Sequence, residues 1–113
     1  MEKSRLNEDR WKSMTFVEQM ANIGSEVGRA AKWVIKGKPA MAEGAYIRAL
    51  ELIDLTIKYG RVNSPYRATM LKELHLIREY FCSAYELSDT ATLTWLDKYF
   101  GDFAVAHRKQ AAS

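Results

Sequence analysis

Residues 15–59 read TFVEQMANIGSEVGRAAKWVIKGKPAMAEGAYIRALELIDLTIKY, two runs of helical periodicity joined through Gly37-Lys38-Pro39. Thr15-Phe16-Val17-Glu18 has the spacing of a capping box, in which the Thr hydroxyl accepts the amide near Glu18 and the Glu carboxylate reaches back. A helix is predicted over 15–36. Phe16, Val17, Met20, Gly24, Val27, Gly28, Ala31, Val34 and Ile35 recur at intervals that place them on one stripe. Gly24 and Gly28 sit inside that stripe, where each costs roughly 1 kcal/mol of helix propensity relative to alanine. Such a cost is tolerated where a second backbone or a bulky side chain comes close, so both glycines are expected at a tight helix contact. The charges of Glu26, Arg29 and Lys32 in the same segment favour a water-soluble bundle over a membrane pair.

Gly37 can adopt the left-handed conformation that ends a helix, and Pro39 suits the first turn of the next, so the two helices are expected to run antiparallel. The second is predicted over 39–59, with Ala42, Ala45, Tyr46, Ala49, Leu50, Ile53, Thr56 and Ile57 facing inward. Tyr59-Gly60 closes it, and Ser64-Pro65 supplies a cap and a first-turn proline for a third helix over 65–87. That helix turns Met70, Leu71, Leu74, Ile77, Phe81, Ala84 and Tyr85 inward. A fourth is predicted over 90–109, capped by Ser88, Asp89 or Thr92, carrying Leu93, Leu96, Tyr99, Phe100 and Phe103, with Gly101-Asp102 as a candidate break. Residues 1–14 are polar apart from Leu6 and Trp11 and are expected to form a partly mobile arm. The fold class that follows is all-α: an antiparallel four-helix bundle over residues 15–113, preceded by that arm.

A chain of 113 residues with a net charge of +3 is a single domain by size, with only a weak pull toward polyanions. Its one cysteine, Cys82, excludes a disulfide framework within the chain and fits a reducing compartment. No apolar run approaches the ~18 residues of a membrane span, and the charged opening lacks an apolar signal core. A cytoplasmic protein without a membrane partner is expected.

Catalytic chemistry finds little footing. Neither His75 nor His107 has a Glu three residues before it, as paired-metal bundles require, and Cys82 has no histidine near it in sequence. Gly24 and Gly28 lie inside a helix, not in a strand-to-helix phosphate loop. No cofactor, no metal and no catalytic residue is assigned, and the chain is read as a non-enzyme.

Three features point instead to association. Arg78 falls on the apolar stripe of its helix, and Glu51 with Asp54, three apart on the preceding helix, are its expected partners in a buried charge network. Arg29, Lys32, Lys36 and Lys38 form a block free of acids beside Trp33, a candidate nucleic-acid contact; Lys58, Arg61, Arg67 and Lys72 form a second block. Acidic Glu79, Glu86, Asp89, Asp97 and Asp102 are offset only by Lys98. The aromatics exceed what the inner stripes need, so Trp11, Trp33, Tyr46 and Trp95 are candidate interface residues; Tyr59, Tyr66 and Tyr80 belong to the same surplus.

Residues 19–27 (QMANIGSEV), 48–56 (RALELIDLT) and 98–100 (KYF) resemble a family of small, uncharacterised prokaryotic helical-bundle proteins, a resemblance that implies the fold and no activity. More distantly, the layout from Ala30 through Ile57 is similar to HEPN domains, helical bundles found as toxin ribonucleases and as partners of nucleotidyltransferases. Their ribonuclease motif places a histidine four to six residues after an arginine. Arg67 and His75 lie outside that interval, so the resemblance implies a partner-binding form without nuclease activity. The expected function is a protein-interaction or accessory module acting through a homo-oligomer or a partner subunit. The alternative is an RNA- or DNA-binding bundle that gathers basic patches across subunits, as the accessory proteins of diversity-generating retroelements do.

Overall fold

A computed structural model of the chain describes residues 8–60 and 67–112. It is all-helical, and the described residues form five helices where four were expected: α1 (Glu8–Ser13), α2 (Phe16–Ile35), α3 (Pro39–Tyr59), α4 (Arg67–Glu86) and α5 (Thr90–Ala112). No strand occurs among the described residues. The expected start of the third helix at Ser64-Pro65, together with Leu6, Arg61 and Tyr66, lies outside the described residues.

Local chemistry sets the ends of α2 and α3. The Thr15 hydroxyl accepts the Glu18 amide at 3.1 Å while a Glu18 carboxylate oxygen accepts the Thr15 amide at 2.9 Å, which satisfies two donors that the first turn leaves open. At the far end Gly37 takes a φ of +71°, a left-handed conformation that is cheap only for glycine, and Pro39, two residues on, opens α3. The α4–α5 turn does the same work with a different residue. Ser88 carries a φ of +52°, while the Asp89 amide reaches the Ala84 carbonyl at 2.8 Å.

Cross-helix contacts give the direction of each neighbour. Arg48 meets Glu26 halfway along α2 and α3, Tyr46 meets Tyr85 near the start of α3 and the end of α4, and Glu73 meets Tyr99 across α4 and α5. Phe16 at the start of α2 lies edge-on to Phe103 in the second half of α5. Each long helix is therefore antiparallel to its neighbours. The broadest interfaces are those of α2 with α3 and α5, so α2 is the central element. Met20, Ile23, Val27, Ile53, Phe81 and Phe100 are fully buried between them, each such large side chain stabilising the fold by about 1.5–3 kcal/mol.

Two expectations are corrected. The polar arm does not extend through residue 14: Glu8–Ser13 is helical and Trp11 is only 5% exposed. Its indole Nε1 donates to Thr56 Oγ1 at 3.1 Å, and the Gln19 side-chain amide donates to the Trp11 carbonyl at 2.8 Å. A six-residue helix has no stability of its own in water, so this docking is what holds α1 in place. The candidate break at Gly101 is absent as well, and α5 runs through it. Buried Phe100 and partly buried Phe103 fix the turns on either side, which outweighs the cost of one glycine.

Candidate interaction surface

The stripe of α2 brings Gly24 and Gly28 against α5. A Cβ on Gly24 would lie 2.7 Å from the Phe100 Cβ, and one on Gly28 would lie 2.7 Å from a carboxylate oxygen of Asp97. Both positions are therefore packing sites inside the molecule, turned away from any outside partner.

On the α3–α4 flank Arg78 makes a two-pronged contact with Asp54, Nε to Oδ1 at 2.8 Å and Nη2 to Oδ2 at 3.2 Å. Glu51 is exposed and forms no ion pair among the described residues. The hydrogen bond to Asp54 holds the Arg78 guanidinium above its ordinary pKa, against the opposing effect of burial. Arg78 Nη1 also lies 3.9 Å from Cys82 Sγ. Next to them Tyr46 stacks on Tyr85 with ring centres 3.8 Å apart and planes 9° from parallel. Burial, then a hydrogen bond with Cys82, pushes the Tyr46 hydroxyl up from its ordinary value. Tyr46 is thus an internal flank residue, occupied by its own chain.

The basic block at the α2–α3 turn is partly engaged already. Arg29 pairs with Glu26 at 2.8 Å, and Arg48 reaches the same carboxylate at 3.3 Å. The ammonium groups of Lys32 and Lys36 stand 5.4 and 5.5 Å from the centre of the half-buried Trp33 ring, a cation–π arrangement that occupies the surface a base would need. Lys38, at the N-cap of α3, is exposed.

Trp11 is removed from the interface candidates by its burial. Trp95 is not: it is 52% exposed on α5 and stacks on Tyr99. Across from it on α4, Tyr80 is 46% exposed, and Tyr80, Ala91, Thr92 and Trp95 line an open groove of about 410 Å³. Leu76, one turn before Tyr80 on α4, is also exposed, as is Leu87 in the turn just after that helix. Sequence reasoning missed Leu76 and Leu87. The signal that would have found Leu76 is the doubled apolar stripe of α4: Leu74, Ile77, Phe81 and Ala84 face the core, and Leu76 and Tyr80 form a second row beside it, with Leu87 following in the turn.

A smaller and more polar concavity of about 180 Å³ near the start of α2 is bordered by Glu18, Asn22 and His107, with His107 Nε2 at 4.0 Å from a Glu18 carboxylate oxygen. Among the described residues no group of three His, Cys, Asp or Glu side chains is placed to hold a metal ion, and no helix is long and apolar enough to cross a membrane.

Comparison of the chain with protein-family models, curated proteins and solved structures finds no match. The surface is read from its own chemistry.

Proposed function

We propose that the chain is a four-helix bundle closed at one end by the short helix α1, and that it acts as a non-catalytic interaction module through the α4–α5 face. The observation that carries this reading is the exposure of four large apolar side chains, Leu76, Tyr80, Leu87 and Trp95, on α4, α5 and the turn between them, of which Tyr80 and Trp95 line the groove. Large aromatics are favoured where they are desolvated by a partner, and a contiguous apolar strip on a small domain marks an interaction site. Core packing does not call for these four side chains, because the buried rows of α4 and α5 are already filled by Leu74, Ile77, Phe81, Leu93, Leu96 and Phe100.

Contact with an RNA or DNA backbone is the second reading, supported by the exposed ammonium groups of Lys32, Lys36 and Lys38 at one turn. It ranks below the first because Trp33 is covered by its own lysines and Arg29 is paired. Size-exclusion chromatography with light scattering and nucleic-acid absorbance separates the two. The first expects a discrete species heavier than 13.0 kDa, free of nucleic acid, or a stable complex with another protein, in either case lost in Trp95→Glu. Nucleic acid that co-elutes and is released when Lys32, Lys36 and Lys38 are neutralised together would put the second in its place.

A further inference from the structure

We infer that α1 is a latch: Glu8–Ser13 lifts as one unit, drawing Trp11 out of its slot at the end of α3 while α2–α5 stay folded, and the buried side chain of Gln19 keeps the closed state weak enough to open. This goes beyond the interaction role of the α4–α5 face and does not involve it.

The hold on α1 is narrow. Trp11 is the one buried side chain of that helix, its indole donating to Thr56 and its carbonyl accepting from Gln19. Surface contacts add to these: Glu8 accepts the Tyr59 hydroxyl at 3.1 Å, and the Lys12 ammonium stands 4.7 Å from the centre of the same ring. Contacts of this kind are weak where water competes for both partners.

The bundle does not need α1 for its own integrity. Thr15 and Glu18 close the first turn of α2 between themselves, so α2 keeps its start when α1 leaves, and Met14 and Thr15 form the hinge between the two helices. The fully buried Ile23, Val27, Phe81 and Phe100 all belong to α2, α4 and α5. A segment with one buried anchor beside a core that is filled without it opens by itself, ahead of the rest of the fold.

Closure also carries a penalty. Gln19 is fully buried; its Nε2 donates to the Trp11 carbonyl, but its Oε1 has no hydrogen-bond partner among the described residues. An amide left half satisfied destabilises the state that buries it, and once α1 lifts the side chain can turn to water. The Trp11 carbonyl does not depend on Gln19, because the Met14 amide also reaches it at 3.1 Å. A flexible apolar side chain of similar length would therefore seat α1 more firmly than glutamine does. Opened, the slot presents the Thr56 hydroxyl and the Gln19 amide beside the apolar cluster to which Trp11 belongs.

The test is hydrogen exchange of the Trp11 indole N–H in the full-length chain, followed by NMR over low urea concentrations and set against the backbone amides of Ile53 and Phe100. The indole proton is expected to exchange through an opening on the order of a hundredfold more populated than global unfolding and only weakly dependent on urea. Gln19→Met is expected to lower the population of that opening about fivefold, and Gln19→Glu, whose carboxylate cannot donate to the Trp11 carbonyl, to raise it by about as much. The Ile53 and Phe100 amides report the fold of each variant. An indole proton that exchanges only with global unfolding, at the urea dependence of the Phe100 amide, overturns the latch. A Gln19→Met variant that opens as readily as the wild type, or more readily, overturns the role assigned to Gln19.

Discussion

Gly24 lies so close to Phe100 that a methyl group added to it would stand 2.7 Å from the Phe100 Cβ. Gly24→Ala is therefore expected to destabilise the fold by about 1–3 kcal/mol despite the better helix former. Gly101→Ala is the matched control, since nothing lies within 4 Å of the added carbon. It is expected to stabilise by roughly 0.5–1 kcal/mol. Urea midpoints of the two variants check both signs, and a stabilising Gly24→Ala would contradict the tight α2–α5 contact.

Trp11 offers two separable losses. Trp11→Ala empties a buried indole site, with an expected cost of about 3–5 kcal/mol. Trp11→Phe keeps much of the volume but deprives the buried Thr56 hydroxyl of its donor, about 1–3 kcal/mol. Adding Thr56→Val to Trp11→Phe removes the orphaned group and should recover part of that loss. Thermal melts of the single and double variants measure the coupling; strict additivity would show that the Trp11–Thr56 bond contributes nothing.

Among the described residues, three tyrosines are held above the ordinary phenol range. Burial is the main cause for Tyr46, Tyr85 and Tyr99; Tyr99 also donates a short hydrogen bond to Glu73, and Glu43 adds its negative charge near Tyr85. A pKa raised by folding contributes stability that is fully present below the unfolded value of about 10 and is lost as pH rises through the folded values. Phenolate absorbance is expected to show these three ionising late, together with alkaline unfolding. Tyr99→Phe should shift that unfolding upward in pH. Early, independent ionisation of all six tyrosines of the chain would refute the assignment.

Ser88 bears a left-handed backbone without being glycine. Ser88→Gly should relieve on the order of 1 kcal/mol of strain in the α4–α5 turn. Equal chemical-denaturation midpoints for Ser88→Gly and wild type would show that the turn absorbs the strain at no cost.

The Arg78–Asp54 contact is well aligned but partly exposed on both sides, 34% and 56%. Its removal by Asp54→Asn is expected to cost no more than about 1 kcal/mol. Arg78→Met should retain helix content and most of the stability, since the exposed Asp54 is rehydrated when its partner goes. A loss several times larger would mean that Arg78 holds the α3–α4 interface together, and calorimetry of the two variants reads the difference directly.

Elements whose signals are local were legible in the sequence. The Thr15–Glu18 capping box and the Gly37-Lys38-Pro39 connection depend on residues within one turn of each other, and α2 and α3 fall where those signals place them. The helix α1 was not legible, because six mostly polar residues become helical only through Trp11 reaching Thr56, 45 residues away. Gln19 escaped notice for the same reason: its amide is buried by a carbonyl that only the docked α1 supplies. Ile35 was read as an inward residue and is 56% exposed, since the stripe drifts off the core at the last turn of α2. Among the candidate surface residues, Trp95 was visible as a surplus aromatic, whereas the groove beside it depends on how α4 is rotated against α5.

The central position of α2 carries a kinetic consequence. Its contact with α3 closes through a three-residue turn, but its glycine face waits for α5, the last helix of the chain. Closing so long a loop is slow relative to forming a helical hairpin, so the α2–α3 pair assembles first and the α2–α5 seam last. Damage to that seam then speeds unfolding far more than it slows refolding, and the lifetime of the native state is set where Gly24 meets Phe100.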